Sequence, residues 1–242
     1  MSRLIYFESF PHTGSWFLIN FIMSHPEVGG FLPAYQLPLA LMGVDNPRKV
    51  LGGPNDKPPI TEHMGTEHSV TLVHSHCQGA DSCAWTFLNL HHGVLVSLRD
   101  PLMILVSWKQ SVPNFNQGQV ARYWRRYCAW YPHLGNLCDV IYFPIDWLAG
   151  ESVDTRSWYL IQVLDCFDLE THTNIIHETA SSWERVGGTG EGYRAEAQKA
   201  YDDRDVEFFE RTIPEGFKVL RESEDLMRPF LEQWYKDLLW WS

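Results

Sequence analysis

Five short apolar runs punctuate the chain as far as Phe143, and segments with helical character fall between and after them. No other feature constrains the fold as much. The runs are Arg3 to Phe7, a weak one at Gly30 to Leu32, Ser69 to His74, Gly93 to Leu98, and Asp139 to Phe143. Apolar runs of this length are what strands covered on both faces show. The remaining segments predict helices over Ser15 to Met23, Asp81 to Leu90, Pro101 to Ser111, Val120 to Tyr131, Thr155 to Phe167, Ala195 to Glu210 and Glu224 to Leu239. Strands alternating with helices require parallel crossovers. The expected fold class is therefore α/β: a single three-layer domain over 1–242, with a short, mostly parallel sheet of four to five strands flanked by helices.

Composition bounds what such a domain does. With 242 residues, 45% of them hydrophobic and 14% aromatic, the chain can bury a full core. The formal charge of -11 argues against nucleic-acid or anionic-membrane partners, which need a broad basic surface, so any anionic ligand must be held locally. The longest apolar stretches fall short of a membrane span, and Glu8 with the turn at Pro11 to Ser15 interrupts any signal-peptide layout. The expectation is a soluble cytoplasmic protein. The five cysteines, Cys77, Cys83, Cys128, Cys138 and Cys166, contain no C-x-x-C pair, which predicts reduced thiols rather than disulfides or a thiolate metal site.

Pro and Gly crowd the stretch from Asn46 to Gly65, and residues 44–67 are expected to form a lid or substrate loop. The tail, 224–242, reads as an amphipathic helix. Its aromatic stripe suits core packing or a homodimer contact better than a membrane, given its acidic polar face.

Two strand-to-helix junctions carry chemistry. In "FPHTGSWFL" the run after the first strand turns through Gly14 into a helix, where unpaired backbone N–H groups and the positive end of the dipole favour an anion. Thr13 and Ser15 add hydroxyls, although Ser15 also reads as a plain N-cap. The nucleotide-triphosphatase loop G-x-x-x-x-G-K-[ST] is absent. In "SLRDPLMILVSW", Asp100 is an N-cap with Pro101 at the first helical position. Arg99 closes the preceding strand and Ser107 lies about two turns along the helix, a pair suited to clamping a second phosphate. Arg99 pairing with Asp100, or capping helix carbonyls, is the structural alternative.

Together these segments resemble the PAPS-dependent sulfotransferases. "FPHTGSWFLINFI" is similar to their phosphosulfate loop, P-K-S-G-T-T-W-L, and "LRDPLMILVSW" to their 3′-phosphate motif, R-[ND]-P-x-x-x-x-x-S. "TLVHSHC" places His74, Ser75 and His76 in the register of a K-T-H-like triplet. "ARYWRRYCAWYPH" followed by "DVIYFPIDWL" resembles the W-x-x-H-x-x-x-W-W helix and the strand leading to Y-E-D-[ML], and "RVGGTGEGYR" resembles the R-K-G-x-x-G-x-[WY]-[KR] closing loop. The resemblance implies a P-loop-like sulfotransferase architecture and metal-independent, in-line transfer of a sulfo group from 3′-phosphoadenosine 5′-phosphosulfate to a small-molecule or glycan hydroxyl or amine. By matched position it implies that His12, Thr13, Gly14, Ser15 and Trp16 hold the phosphosulfate and that Phe17 sits by the adenine. Arg99 and Ser107 would grip the 3′-phosphate, and Arg185, Gly187 and Arg194 would complete the pocket. His76 would be the base.

The chain departs from the family in three places. His12 stands where the family has Lys; it supplies positive charge there only if the bound anion keeps it protonated, and it would then act as the catalytic acid. Pro144 occupies the place of an adenine-facing Tyr, and Val186 that of a basic residue. A binding protein on the same fold with weakened catalysis, and a P-loop kinase of a small acceptor, are the alternative functions. A metal site built on His74, His76, His91 and His92 is a minor one, since convincing further ligands are missing.

Overall fold

The computed structural model describes residues 3–33, 70–75, 93–112, 114–136, 138–183, 193–233 and 240, with the side chains of 32–33 and 193–195 left aside. Its strands are β1 (Arg3–Ser9), β2 (Val28–Pro33), β3 (Val70–Ser75), β4 (Gly93–Leu98) and β5 (Asp139–Pro144). They form one all-parallel sheet in the order β2-β3-β1-β4-β5. Every residue of β3 and β4 is buried, which explains why their sequences are mostly apolar, with Thr71, His74, Ser75 and Ser97 the buried polar exceptions.

Helices cover both faces. Helix α1 (Ser15–Met23) follows β1, and α2 (Pro101–Ser111) follows β4. Further along are α3 (Gln117–Leu134), α4 (Ile145–Ala149), α5 (Val153–Cys166), α6 (Thr173–Ser181), α7 (Tyr193–Asp202), α8 (Val206–Thr212), α9 (Pro214–Arg221) and α10 (Glu224–Leu231). In α3 the buried residues Val120, Ala121, Trp124, Tyr127, Cys128 and Tyr131 recur at helical spacing and form one apolar face. That face joins Tyr6, Val94 and Val96 in one core, while Ile5, Phe7 and Leu95 join Phe17, Leu18 and Leu164 in a second core across the sheet. Alternate residues of β1 and β4 thus feed opposite cores, giving the expected three layers.

Some expected boundaries move. The helix expected over Ala195 to Glu210 is two helices, because Arg204 adopts a left-handed φ of 56° and Asp205 caps the new helix by accepting from the Phe208 amide. The tail helix expected over Glu224 to Leu239 ends at Leu231, with Glu232 as its C-cap, and 234–239 lie outside the described residues. Helices α4, α6 and α9 were not expected. The helix over Asp81 to Leu90 and the loop at 44–67 lie outside the described residues. Cys128, Cys138 and Cys166 are free thiols, and no described helix is long and apolar enough to cross a membrane.

Candidate active site at the carboxyl edge of the sheet

The chain runs from central β1 outward to β2 and β3, then crosses to β4 on the other side. The loops after β1 and β4 therefore part at this edge, where open α/β sheets hold ligands. A cavity of about 620 Å³ opens there, a volume suited to a small ligand or nucleotide. Its wall contains His12, Gly14, Ser15, Trp16, Phe17, Arg99 and Ser107, bringing together seven of the residues expected from sequence.

The turn after β1 has the shape that an anion cradle needs. His12 (φ 68°) and Gly14 (φ 75°) are both left-handed, while Thr13 between them is not, and such alternation turns successive amides toward one point. Gly14 itself occupies the N-cap of α1 and no side chain caps the helix, so Ser15 is the first helical residue and not the cap. The Phe17 amide turns back to the Gly14 carbonyl at 3.0 Å, and the amides before it, of Ser15 and Trp16, lie at the positive end of the helix dipole. Thr13 departs from expectation: its hydroxyl donates to the Phe10 carbonyl at 2.7 Å and lies 2.6 Å from Ser97 Oγ, fully buried. It pins the turn to β4 and does not line the cavity.

The register of β4 on β5 sets Leu98 opposite Pro144, which brings the residues just beyond into contact. Asp146 accepts from Arg99 Nε at 3.2 Å and from the Asp100 amide at 2.8 Å. Arg99 Nη1 donates to the His12 carbonyl at 3.0 Å, which leaves Nη2 without a partner among the described residues. His12 Nδ1 and Ser107 Oγ are 3.0 Å apart, so His12 links the turn after β1 both to Arg99 and to α2. Arg99 thus pairs with Asp146, not with Asp100.

Asp100 is the expected N-cap, accepting from the Leu102 amide at 2.8 Å, and it also accepts from the Tyr201 hydroxyl at 2.7 Å. Burial, with a smaller push from the Asp146 charge, raises its pKa from 3.8 to about 7, against the lowering pull of these donors. Burial beside the Asp100 carboxylate pushes the Tyr201 phenol up as well. Between pH 3.8 and about 7 the unfolded chain loses this proton while the folded chain keeps it, so the contribution present at low pH is lost as pH rises through about 7. Asp100→Asn keeps a good capping group without the charge. Urea titrations from pH 4.5 to 8 should show the wild type losing stability relative to this variant as pH rises; parallel curves would contradict the assignment.

Aromatic side chains form the opposite wall. Phe17 meets Trp183 edge-on at 4.3 Å, and Trp183 stacks on Phe143 at 5.7 Å. Trp16 is 54% exposed at the mouth. Sequence reading missed Asp146, Trp183 and Tyr201. For Asp146 a signal existed, because two residues after Pro144 it falls on the Asp of the Y-E-D pattern; nothing local marked the other two. His76, Arg185 and Gly187 lie outside the described residues, and Arg194 is placed only as backbone within α7. Among the described residues no group of three or more His, Cys, Asp or Glu is arranged to hold a metal.

Set against known structures, the chain aligns with mouse sulfotransferase SULT7A1 complexed with PAP over 94% of its own length and 89% of the other's, with a TM-score of 0.53 and 13% identity. The fold is that of a sulfotransferase. No family model matches the sequence, and no curated protein does. At 13% identity the likeness is one of fold. Within the sulfotransferase fold, the cavity between the β1 and β4 loops is the site that the chain's own geometry singles out.

Proposed function

We propose that the protein transfers a sulfo group from 3′-phosphoadenosine 5′-phosphosulfate to a hydroxyl or amine acceptor. The observation that carries this reading is the convergence of two anion-holding junctions on one cavity: the uncapped start of α1, and Arg99 with Ser107, joined through the His12–Ser107 contact. The residues suit such a nucleotide. The open amides and Ser15 fit a 5′-phosphosulfate, Arg99 Nη2 and Ser107 a 3′-phosphate, and the Phe17–Trp183 wall a planar base.

When bound, the nucleotide supplies the activated sulfo group; the chain aligns the acceptor and stabilises charge on the leaving phosphate oxygen. The acceptor's proton passes to a base, assigned to His76 by its place in the family motif, as a new sulfur–oxygen or sulfur–nitrogen bond replaces the one to phosphate. His12, in the lysine position, is the group that neutralises the leaving phosphate, its charge maintained by the anion beside it. It predicts a rate that falls above neutral pH in the wild type and is restored there in His12→Lys. A falloff unchanged by that substitution removes His12 from this role.

A second reading, a nucleotide-binding protein with weakened catalysis, draws support from Asp146, whose carboxylate already engages Arg99. Thermal shift with adenosine 3′,5′-bisphosphate, against ATP with magnesium, tests the nucleotide assignment: stabilisation by the bisphosphate alone supports it, and preference for ATP points to a kinase. Transfer of label from radioactive PAPS to an acceptor panel then separates enzyme from binder.

A further inference from the structure

Arg156, on α5, is buried, and no carboxylate among the described residues pairs with it. A buried charge without a counter-ion is costly unless dipoles replace the missing partner. Here they do. Nε donates to the Leu148 carbonyl at 3.0 Å and Nη2 to the Ala149 carbonyl at 2.7 Å, at the C-terminal end of α4. Nη1 donates to the Ala180 carbonyl at 3.2 Å, at the end of α6. Both helix ends present the negative pole of their dipoles to the guanidinium. The group also lies 5.6 Å from the Trp183 ring centroid, within cation–π range.

Helix α4 lines the cavity, and the end of α6 leads through its cap Ser182 to Trp183, which lines it as well. Helix α4 carries Ile145 and Asp146, and Asp146 orients Arg99; Trp183 forms the aromatic wall against Phe17. Arg156 itself does not line the cavity. We propose that Arg156 is a positioning residue that fixes the Trp183 wall relative to the Arg99–Asp146 pair, and so sets the distance between the base and the 3′-phosphate of a bound nucleotide. This rests on the nucleotide reading above. A planar guanidinium fork meets acceptors on two helices and a ring face at once, which a lysine ammonium cannot do.

The test is a double-mutant cycle of wild type, Arg156→Lys, Trp183→Leu and the double variant. Each is titrated calorimetrically with adenosine 3′,5′-bisphosphate and with inorganic pyrophosphate, a probe that lacks a base. Each single substitution should weaken bisphosphate binding about tenfold, and the double variant by no more than about twentyfold, because Arg156 acts through Trp183. Pyrophosphate affinity should stay within about twofold throughout, a specificity that general loosening would not preserve. Losses that multiply to about a hundredfold, or equal loss of pyrophosphate, overturn the proposal. So does failure of both Arg156→Lys and Arg156→Gln to fold, which makes the residue purely structural. Wild-type protein that does not bind the bisphosphate refutes the nucleotide reading, and this inference with it; wild-type binding with independent losses refutes the inference alone.

Discussion

Arg99→Ala is expected to weaken binding of adenosine 3′,5′-bisphosphate by about a hundredfold while changing that of adenosine 5′-phosphate by only about twofold. The basis is geometric. Arg99 is held at two points, by the His12 carbonyl and Asp146, so its remaining nitrogen reaches a ligand without further ordering. A charge-assisted hydrogen bond contributes about 1.5–3 kcal/mol, and the variant also leaves the Asp146 carboxylate uncompensated beside the bound phosphate. Arg99→Lys should lose less, about tenfold, since it keeps the charge without the fork. Equal loss of both nucleotides would show that Arg99 does not face the 3′-phosphate.

Gly14→Ala should be the most damaging single change in the turn. A left-handed φ of 75° costs a residue with a β-carbon roughly 1–2 kcal/mol, and that carbon would run into the Ile145 side chain. Together these should destabilise the fold by about 2–4 kcal/mol, a fall in melting temperature of roughly 5–15 °C for a domain of this size. Bisphosphate binding should disappear with the displaced amides. Ile145→Ala in the same chain removes the collision but not the backbone cost, so about half the stability should return. Full recovery would mean that the positive φ costs nothing there.

How much of this was legible in the sequence depended on whether a residue's role was local. Apolar strands declare themselves by composition, most clearly the fully buried β3 and β4, and all five runs emerge as strands although β5 is only partly buried; Asp100 with Pro101 marks the start of α2 because a cap is a local hydrogen bond. Short α4 and α6 have too few turns for a periodic pattern to register, and the break at Arg204 depends on one residue adopting a left-handed conformation. In the site, positions directly after β1 and β4 were readable because the edge of a parallel sheet gathers them. Thr13 shows the limit: its hydroxyl suggests a ligand donor, yet the twist of the turn sends it inward to Ser97. Trp183, Tyr201 and Arg156 enter from distant segments through contacts that only the packed chain creates.

The place of β1 between β3 and β4 also governs how the protein comes to be folded. Tyr6 lies opposite Val73 on one side and Val94 on the other, so the central strand finds its partners only after long loops have closed. Such non-local parallel pairing is slow, and the cradle at Gly14 has no second half until β4 has docked. A partly assembled intermediate therefore lacks the cavity. Any ligand that fills it binds the completed sheet alone, drawing the late steps of folding forward by mass action. Occupancy of the cavity and closure of the sheet's centre are, for this chain, thermodynamically linked.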